Sequence, residues 1–216
     1  MMPAEAAPAP GLVAPGAYRR RDLGGGCPYQ PTVTAMHRRA DAVSAGALGE
    51  VWFLEHAAVI TLGKRAGRHL IHAPADIAIV ETDRGGLVTW HGPGQLVIYP
   101  LIPVSIGVRD WVKLLLVTTA ATLVKMGITE ARADLATTGV YTSRGKIASL
   151  GIRVRGGVNR HGISINVELV PNGFRYIDPC GIVDQPIDQT AGWGVVSVAL
   201  VADGWWGEFQ QSYASG

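Results

Sequence analysis

The chain has 216 residues, 48% hydrophobic and only 17% charged, and its 19 Lys+Arg against 17 Asp+Glu leave a formal charge of +2. That is enough apolar material for a sizeable core, and it excludes a disordered tail or a polyanion-binding arm. The two cysteines, Cys27 and Cys180, lack metal-ligand spacing, which excludes a zinc finger and a disulfide-rich scaffold.

Residues 1–16 carry proline at 3, 8, 10 and 15 and read as a flexible leader, with 17–216 as one domain. The leader lacks the basic start and apolar core of a signal peptide. The longest apolar stretch, Trp111–Val124, falls short of the roughly 20 residues that span a bilayer. A cytoplasmic protein is expected. Arg19, Arg20 and Arg21 read as a solvated turn. Val33, Met36, Ala40, Val43 and Ala47 follow helical spacing, and Gly49 is the expected stop. Val51–Glu55 and Ala58–Leu62 suit strands, with a turn at Glu55-His56.

A glycine-rich stretch from Arg84 to Gln95 precedes the apolar run Leu96–Leu101. Its glycines suit either a loop that brings amides close to a ligand or a tight turn that needs positive φ angles. Asp110 is placed to cap a helix over Trp111–Met126 that Gly127 ends. Ile152 and Val154, then Ile163, Ile165 and Val167, alternate with polar residues around Gly156-Gly157, which predicts an antiparallel hairpin. With Arg155 opposite His161, Lys146 falls opposite Val170, and the ten residues on to Cys180 span at most about 35 Å. The loop can therefore return the thiol to the lysine. The elements together make an α+β domain.

Cys180 stands between Pro179 and Gly181, a turn that leaves one side of the sulfur open. A free thiol, with a pKa of about 8.5, is only a few per cent thiolate at pH 7, so catalysis needs a cationic neighbour or a base. Lys146, His91 and His161 are the candidates. Lys146, flanked by Gly145 and the apolar Ile147-Ala148, is oddly placed for a solvated lysine, and apolar surroundings favour its role as a base. The stretch Gly139–Ile147 lacks the glycine spacing and the final Ser/Thr of a phosphate loop, which argues against ATP use by that route.

Three blocks, 84–100 (R-G-G-L-V-T-W-H-G-P-G-Q-L-V-I-Y-P), 145–167 (G-K-I-A-S-L-G-I-R-V and H-G-I-S-I-N-V) and 177–182 (I-D-P-C-G-I), resemble the octanoyltransferases of lipoate biosynthesis. Thr61-Leu62-Gly63 matches an earlier block, and the likeness runs in order from about Val51 to Gly181. The resemblance implies the fold of the biotin and lipoate protein ligases, a mixed sheet with flanking helices. It implies acyl transfer without a cofactor or metal: octanoate moves from acyl carrier protein onto Cys180, then to a lysine of a lipoyl domain in a 2-oxoacid dehydrogenase complex or of the glycine-cleavage H protein. Lys146 becomes the partner that lowers the thiol pKa. Arg84, Gly85, Gly86, Leu87, Val88, Thr89, Trp90 and His91, with Ser149, Leu150, Gly151, Gly162, Ile163 and Ser164, become the lining of the acyl site. Trp90 replaces a usual tyrosine, and Ile187-Asp188-Gln189-Thr190 replaces a V-T-S-type string. An ATP-dependent ligase of the same fold and a non-catalytic acyl- or carrier-binding protein are the alternatives; Cys180 speaks against the first, and Cys180 together with Lys146 against the second.

Overall fold

The computed structural model describes residues 18–72, 77–179 and 185–214. The leader and Cys180 lie outside the described residues. In chain order the elements are β1 (Tyr18–Cys27), α1 (Tyr29–Ser44), β2 (Gly49–His56), β3 (Val59–Leu62), β4 (Ala78–Glu81), β5 (Val88–His91) and β6 (Gln95–Leu101). There follow α2 (Val108–Lys125), β7 (Arg132–Asp134), β8 (Gly139–Thr142), β9 (Gly145–Arg155), β10 (Val158–Asn166) and α3 (Val198–Ala214). Seven strands form a mixed sheet in the order β1-β2-β6-β10-β9-β8-β7, parallel only at β1–β2. A second sheet of three has the order β4-β3-β5. Among the described residues no helix is long and apolar enough to cross a membrane.

Strand periodicity decides which helix covers which face. Val51 and Phe53 of β2, with Leu96 and Ile98 of β6, pack with Trp111 and Leu115 of α2 and with Trp205 and Phe209 of α3. The intervening Trp52, Leu54, Val97 and Tyr99 pack with Tyr29, Val33 and Met36 of α1. Both faces are covered, so these strands read as unbroken apolar runs rather than as alternation. The residues after 185 complete this core: Trp205 and Phe209 stack at 4.8 Å, and Trp205 Nε1 donates to Thr119 Oγ1 at 2.9 Å.

Several sequence expectations move. The α1 helix starts at Tyr29, a turn before Val33, because Pro28 sits extended at the cap where its missing N–H costs nothing. Its stop is Gly46 (φ 98°), not Gly49, which opens β2. Gly46 N–H bonds Val43 O and Ala47 N–H bonds Ala42 O, a left-handed cap that Gly127 repeats behind α2. Asp110 is not the cap of α2; Gly107 is, and Asp110 lies in the first turn, where a carboxylate meets the helix dipole favourably. The two runs either side of Glu55-His56 enter different sheets, since β2 pairs with β1 and β6 whereas β3 pairs with β4 and β5. The hairpin forms on a two-residue Gly156-Gly157 turn (φ 58° and 73°), so Arg155 faces Val158 rather than His161, which faces Ile152.

The arginine triplet is part of edge strand β1 rather than a turn. Arg19 and Arg21 reach Glu50 across the strand pair, at 2.7 and 3.5 Å, and Arg20, on the opposite face, lies over the Phe53 ring. Glu50 is fully buried and also accepts from Trp52 Nε1 at 2.7 Å. Burial opposes its ionisation, but the bonds from Trp52 and Arg19 win and hold its pKa below the usual range. Its stabilising contribution is therefore present above about pH 4.3 and fades on acidification below that value. Glu50→Ala strands a buried indole N–H and should cost about 2 kcal/mol in urea unfolding at pH 7. An unchanged unfolding midpoint would show that Arg19 and Arg21 merely decorate the edge.

Candidate active site

The small sheet and its glycine-rich loop close over the β9–β10 hairpin. Gly85 N–H donates to Ile152 O at 3.0 Å, where β9 runs on beyond its partner β8. The buried Arg84 guanidinium fastens this loop to β3, donating to Thr61 O at 2.8 Å and to Thr61 Oγ1 at 2.8 Å. No side chain fits at Gly63, where a Cβ would fall 2.5 Å from Gly86 O. Gly151 and Gly162 are cross-strand partners, and a Cβ on Gly162 would meet Ile98 O at 1.9 Å. The paired glycines keep the floor thin.

Beneath the loop lies a cleft of about 610 Å³, open solvent at its mouth included. Its apolar wall includes Leu87, Val88, Val97, Leu150 and Ile163, and its polar groups include Arg84, Thr89, His91, Lys146, Ser149, His161 and Ser164. Gly86, Gly151 and Gly162 complete the backbone surface. Two residues expected in the lining are absent from it. Gly85 is spent on its bond to β9, and Trp90 packs behind the cleft against Phe174. Gly92 and Gly173 hold the Trp90 indole so closely that a Cβ on either would fall within 2.2 Å of it.

Lys146 is 3% exposed. Its Nζ donates to Thr137 O at 3.3 Å and lies 5.5 Å from the Tyr141 ring centroid. The turn that supplies this carbonyl is shaped by Asp134, which accepts from Ala136 N and Thr137 Oγ1. Thr138 follows with φ 49°, a left-handed conformation that costs a β-branched residue about 1–3 kcal/mol. His161, with φ 58°, is the other non-glycine residue in that region among the described residues, and both line this cleft. Such strain collects where function holds it in place.

Cys180 itself lies outside the described residues, but the chain on both sides of 180–184 is fixed to this site. Pro179 is buried and lines the cleft. Upstream, Ile177 bridges to Ile71 and Asp178 N–H bonds Leu70 O. Downstream, Lys146 N–H bonds Pro186 O at 2.9 Å and Asp188 N–H bonds Lys146 O at 3.0 Å. The string Ile187–Thr190, which fits no expected motif, supplies this anchor. Asp188 accepts from Trp193 Nε1 at 2.8 Å, and Gln189 Oε1 accepts from Leu169 N–H at 2.9 Å.

The protonation of His91 follows from a chain of amides. Asn166 Nδ2 donates to the carbonyls of Asp188 (3.0 Å) and Lys146 (3.4 Å), so its Oδ1 accepts from Gln95 Nε2 (3.0 Å). Gln95 Oε1 therefore faces His91, whose Nδ1 carries the hydrogen at 2.7 Å. Burial holds the His91 pKa well below its ordinary value, so the ring is neutral with a lone pair on Nε2. His56, its pKa pushed by burial to about 4, donates through Nδ1 to Cys27 O and accepts from Tyr99 OH on Nε2.

Comparison with known proteins decides between the acyl-transfer and alternative families. The pattern of the lipoyl protein ligase A/B catalytic domain matches residues 32–190. Octanoyltransferases of Escherichia coli and Shigella boydii are 40% identical over 169 residues, covering 77% of this chain and 79% of theirs. The chain belongs to the octanoyltransferase family. The fold is shared more widely. A putative lipoate protein ligase from T. acidophilum with bound lipoic acid superposes with a TM-score of 0.70 at 15% identity, over 90% of this chain and 85% of that one. A lipoate-protein ligase A bound with ATP gives 0.70 at 12% identity, over 90% and 84%. Biotin protein ligase from Leishmania major gives 0.55 at 14% identity, over 94% and 76%.

In this octanoyltransferase-family chain, sequence reasoning misses Tyr29, Val97, Tyr99 and Thr138 as lining. Tyr99 and Val97 are legible in principle, being the alternate positions of an apolar strand whose other face is core. Tyr29 is hidden by a helix start placed at Val33, and Thr138 reveals itself only through its backbone angle. Gly86, at φ 92°, gives a direct check on the loop. Gly86→Val should lower acyl transfer about a hundredfold through misplacement of the loop, with the protein still folded. Unfolding, with full transfer in the folded fraction, would make the loop a plain turn.

Proposed function

We propose that Cys180 takes an octanoyl group as a thioester in this cleft and passes it to a lysine of a lipoyl domain, with octanoyl-acyl carrier protein as the donor. The observation that carries the reading is the joint lining of one cleft by Lys146 and Pro179, the residue peptide-bonded to Cys180. The apolar wall suits an acyl chain, and the buried Lys146 amine suits a partner for the thiol.

Octanoyl transfer in lipoate biosynthesis agrees with the names of the 40%-identical relatives. Lipoyl domains as acceptors agree with the archaeal neighbour described with its E2 lipoyl domain. Thioester-to-amide transfer runs downhill without a nucleotide. A thiol that must stay reduced fits a cytoplasmic setting. The ligase reading of the same fold predicts amide formation from ATP and free octanoate. Incubation of lipoyl domain with either octanoyl-acyl carrier protein or ATP plus octanoate separates the two, and modification in the first mixture alone is the expected result. Modification in the second alone would transfer the chain to the ligase chemistry.

A further inference from the structure

Acyl transfer through a cysteine thioester divides into two half-reactions with different proton balances. In acylation the Cys180 thiol proton replaces the acyl group on the departing donor thiol, and no net proton appears. In deacylation the acceptor arrives as an ammonium with three protons. Its nitrogen bonds the carbonyl carbon, the C–S bond breaks and the electron pair leaves on sulfur. The amide keeps one proton and the returning thiol takes another. The third must leave the site. One base suffices for the first half-reaction, and the second gains from another.

Beside Lys146, the cleft contains a second group suited to the task. His161, 2% exposed, lines it, and its Nε2 lies 2.6 Å from Asp83 Oδ1. Asp83 also meets Arg153 through Oδ2 at 2.9 Å and His37 Nε2 at 3.3 Å. The hydrogen bond from His161 holds the Asp83 carboxyl well below the usual carboxylate range, although burial opposes this. A carboxylate only accepts, so Nε2 carries the hydrogen and Nδ1 the lone pair. Burial lowers the His161 pKa against the pull of Asp83, leaving the ring neutral at rest.

Three buried histidines can be compared. His56 uses both nitrogens on Cys27 O and Tyr99 OH. His91 leans on a neutral amide, which does little for an imidazolium. His161 leans on a carboxylate, which stabilises the cation formed when it takes a proton. The charged and titratable groups around it include His37 from α1, His56 from β2, Asp83 and Arg84 from the loop before β5, His91 from β5, Arg153 from β9, and Tyr99 from β6, whose ring centre is 6.2 Å away. His37, Asp83 and His161 each offer one ligand atom within 4.8 Å of the others, but the Arg153 guanidinium on the same carboxylate opposes a cation there.

Building on the acyl-transfer reading of this cleft, we propose that Asp83 is a positioning residue that holds His161 as the base for the acceptor amine during deacylation. The test reads the half-reactions separately on the full chain. Acyl-enzyme is formed from octanoyl-acyl carrier protein and then discharged either by a lipoyl domain or by hydroxylamine, which is already neutral at pH 7 and needs no base. Asp83→Asn and His161→Asn are the variants, asparagine being the side chain that best tolerates the left-handed backbone at 161. Both should slow discharge to the lipoyl domain about a hundredfold at pH 7. The deficit should shrink as pH approaches the lysine value of about 10.4, where the acceptor loses its own proton. Discharge by hydroxylamine should fall far less, and the double variant should be no slower than the worse single one. Equal losses with both nucleophiles would mean damaged packing and overturn the proposal, as would wild-type discharge to the lipoyl domain. A wild-type protein that accepts no octanoyl group at all would instead overturn the acyl-transfer reading, a result distinct from either.

Discussion

Cys180→Ala should lower octanoyl transfer by at least about a thousandfold, because removing a covalent nucleophile forces the acyl group onto a direct route that the cleft does not serve. The control is Cys27→Ser. Cys27 ends β1, with its sulfur 3.6 Å from the Leu23 and Gly24 carbonyls, and burial together with the Glu55 charge raises its thiol pKa. It is the wrong thiol on electrostatic grounds, since a nearby carboxylate opposes a thiolate. Transfer should stay near wild type in Cys27→Ser. Steady-state rates with octanoyl-acyl carrier protein and a lipoyl domain measure both variants, and a Cys180→Ala enzyme that keeps its rate would rule the thioester out.

Lys146→Ala should raise the pH midpoint for alkylation of Cys180 towards the value of about 8.5 for an ordinary thiol. The midpoint is the better readout than the rate at one pH, because a thiolate of lower pKa is also a weaker nucleophile and the two effects partly cancel. A shift of about two units corresponds to about 2.7 kcal/mol of differential stabilisation of the thiolate. Lys146→Arg should restore part of the midpoint, as arginine supplies charge, but not turnover, as it cannot take a proton. Superimposable alkylation profiles for wild type and Lys146→Ala would leave Lys146 a structural lysine. His91 and His161 would then be the candidates for activating the thiol.

More of the cleft lining than of the strand pairing is legible in the sequence. The glycine-rich string, the hairpin and the Lys146 strand are each legible locally, and they meet because Gly85 bonds β9 and Gly151 pairs with Gly162. Strand partners are not legible. Val51–Leu62 is largely apolar, and nothing in such a run says that β2 and β3 part into different sheets across Ala57-Ala58. The hairpin register differs by three residues from the expected one because two glycines can close a turn tighter than the pattern alone requires. Trp90 looks like lining because its neighbours line the cleft, but its indole packs against Phe174 in the close space that Gly92 and Gly173 leave for it. The Ile187–Thr190 string looks like a departure from the family. Part of its contribution is the backbone bond from Asp188 N–H to Lys146 O, which a side-chain motif does not record.

The most direct measurement of the central claim is the mass of the protein after incubation with octanoyl-acyl carrier protein without acceptor, followed by peptide mapping. A Cys180 thioester predicts one octanoyl group per chain, on the peptide that contains Cys180, removed by hydroxylamine and lost when lipoyl domain is added. An unmodified protein, or a group found on Cys27 or on a lysine, would contradict it.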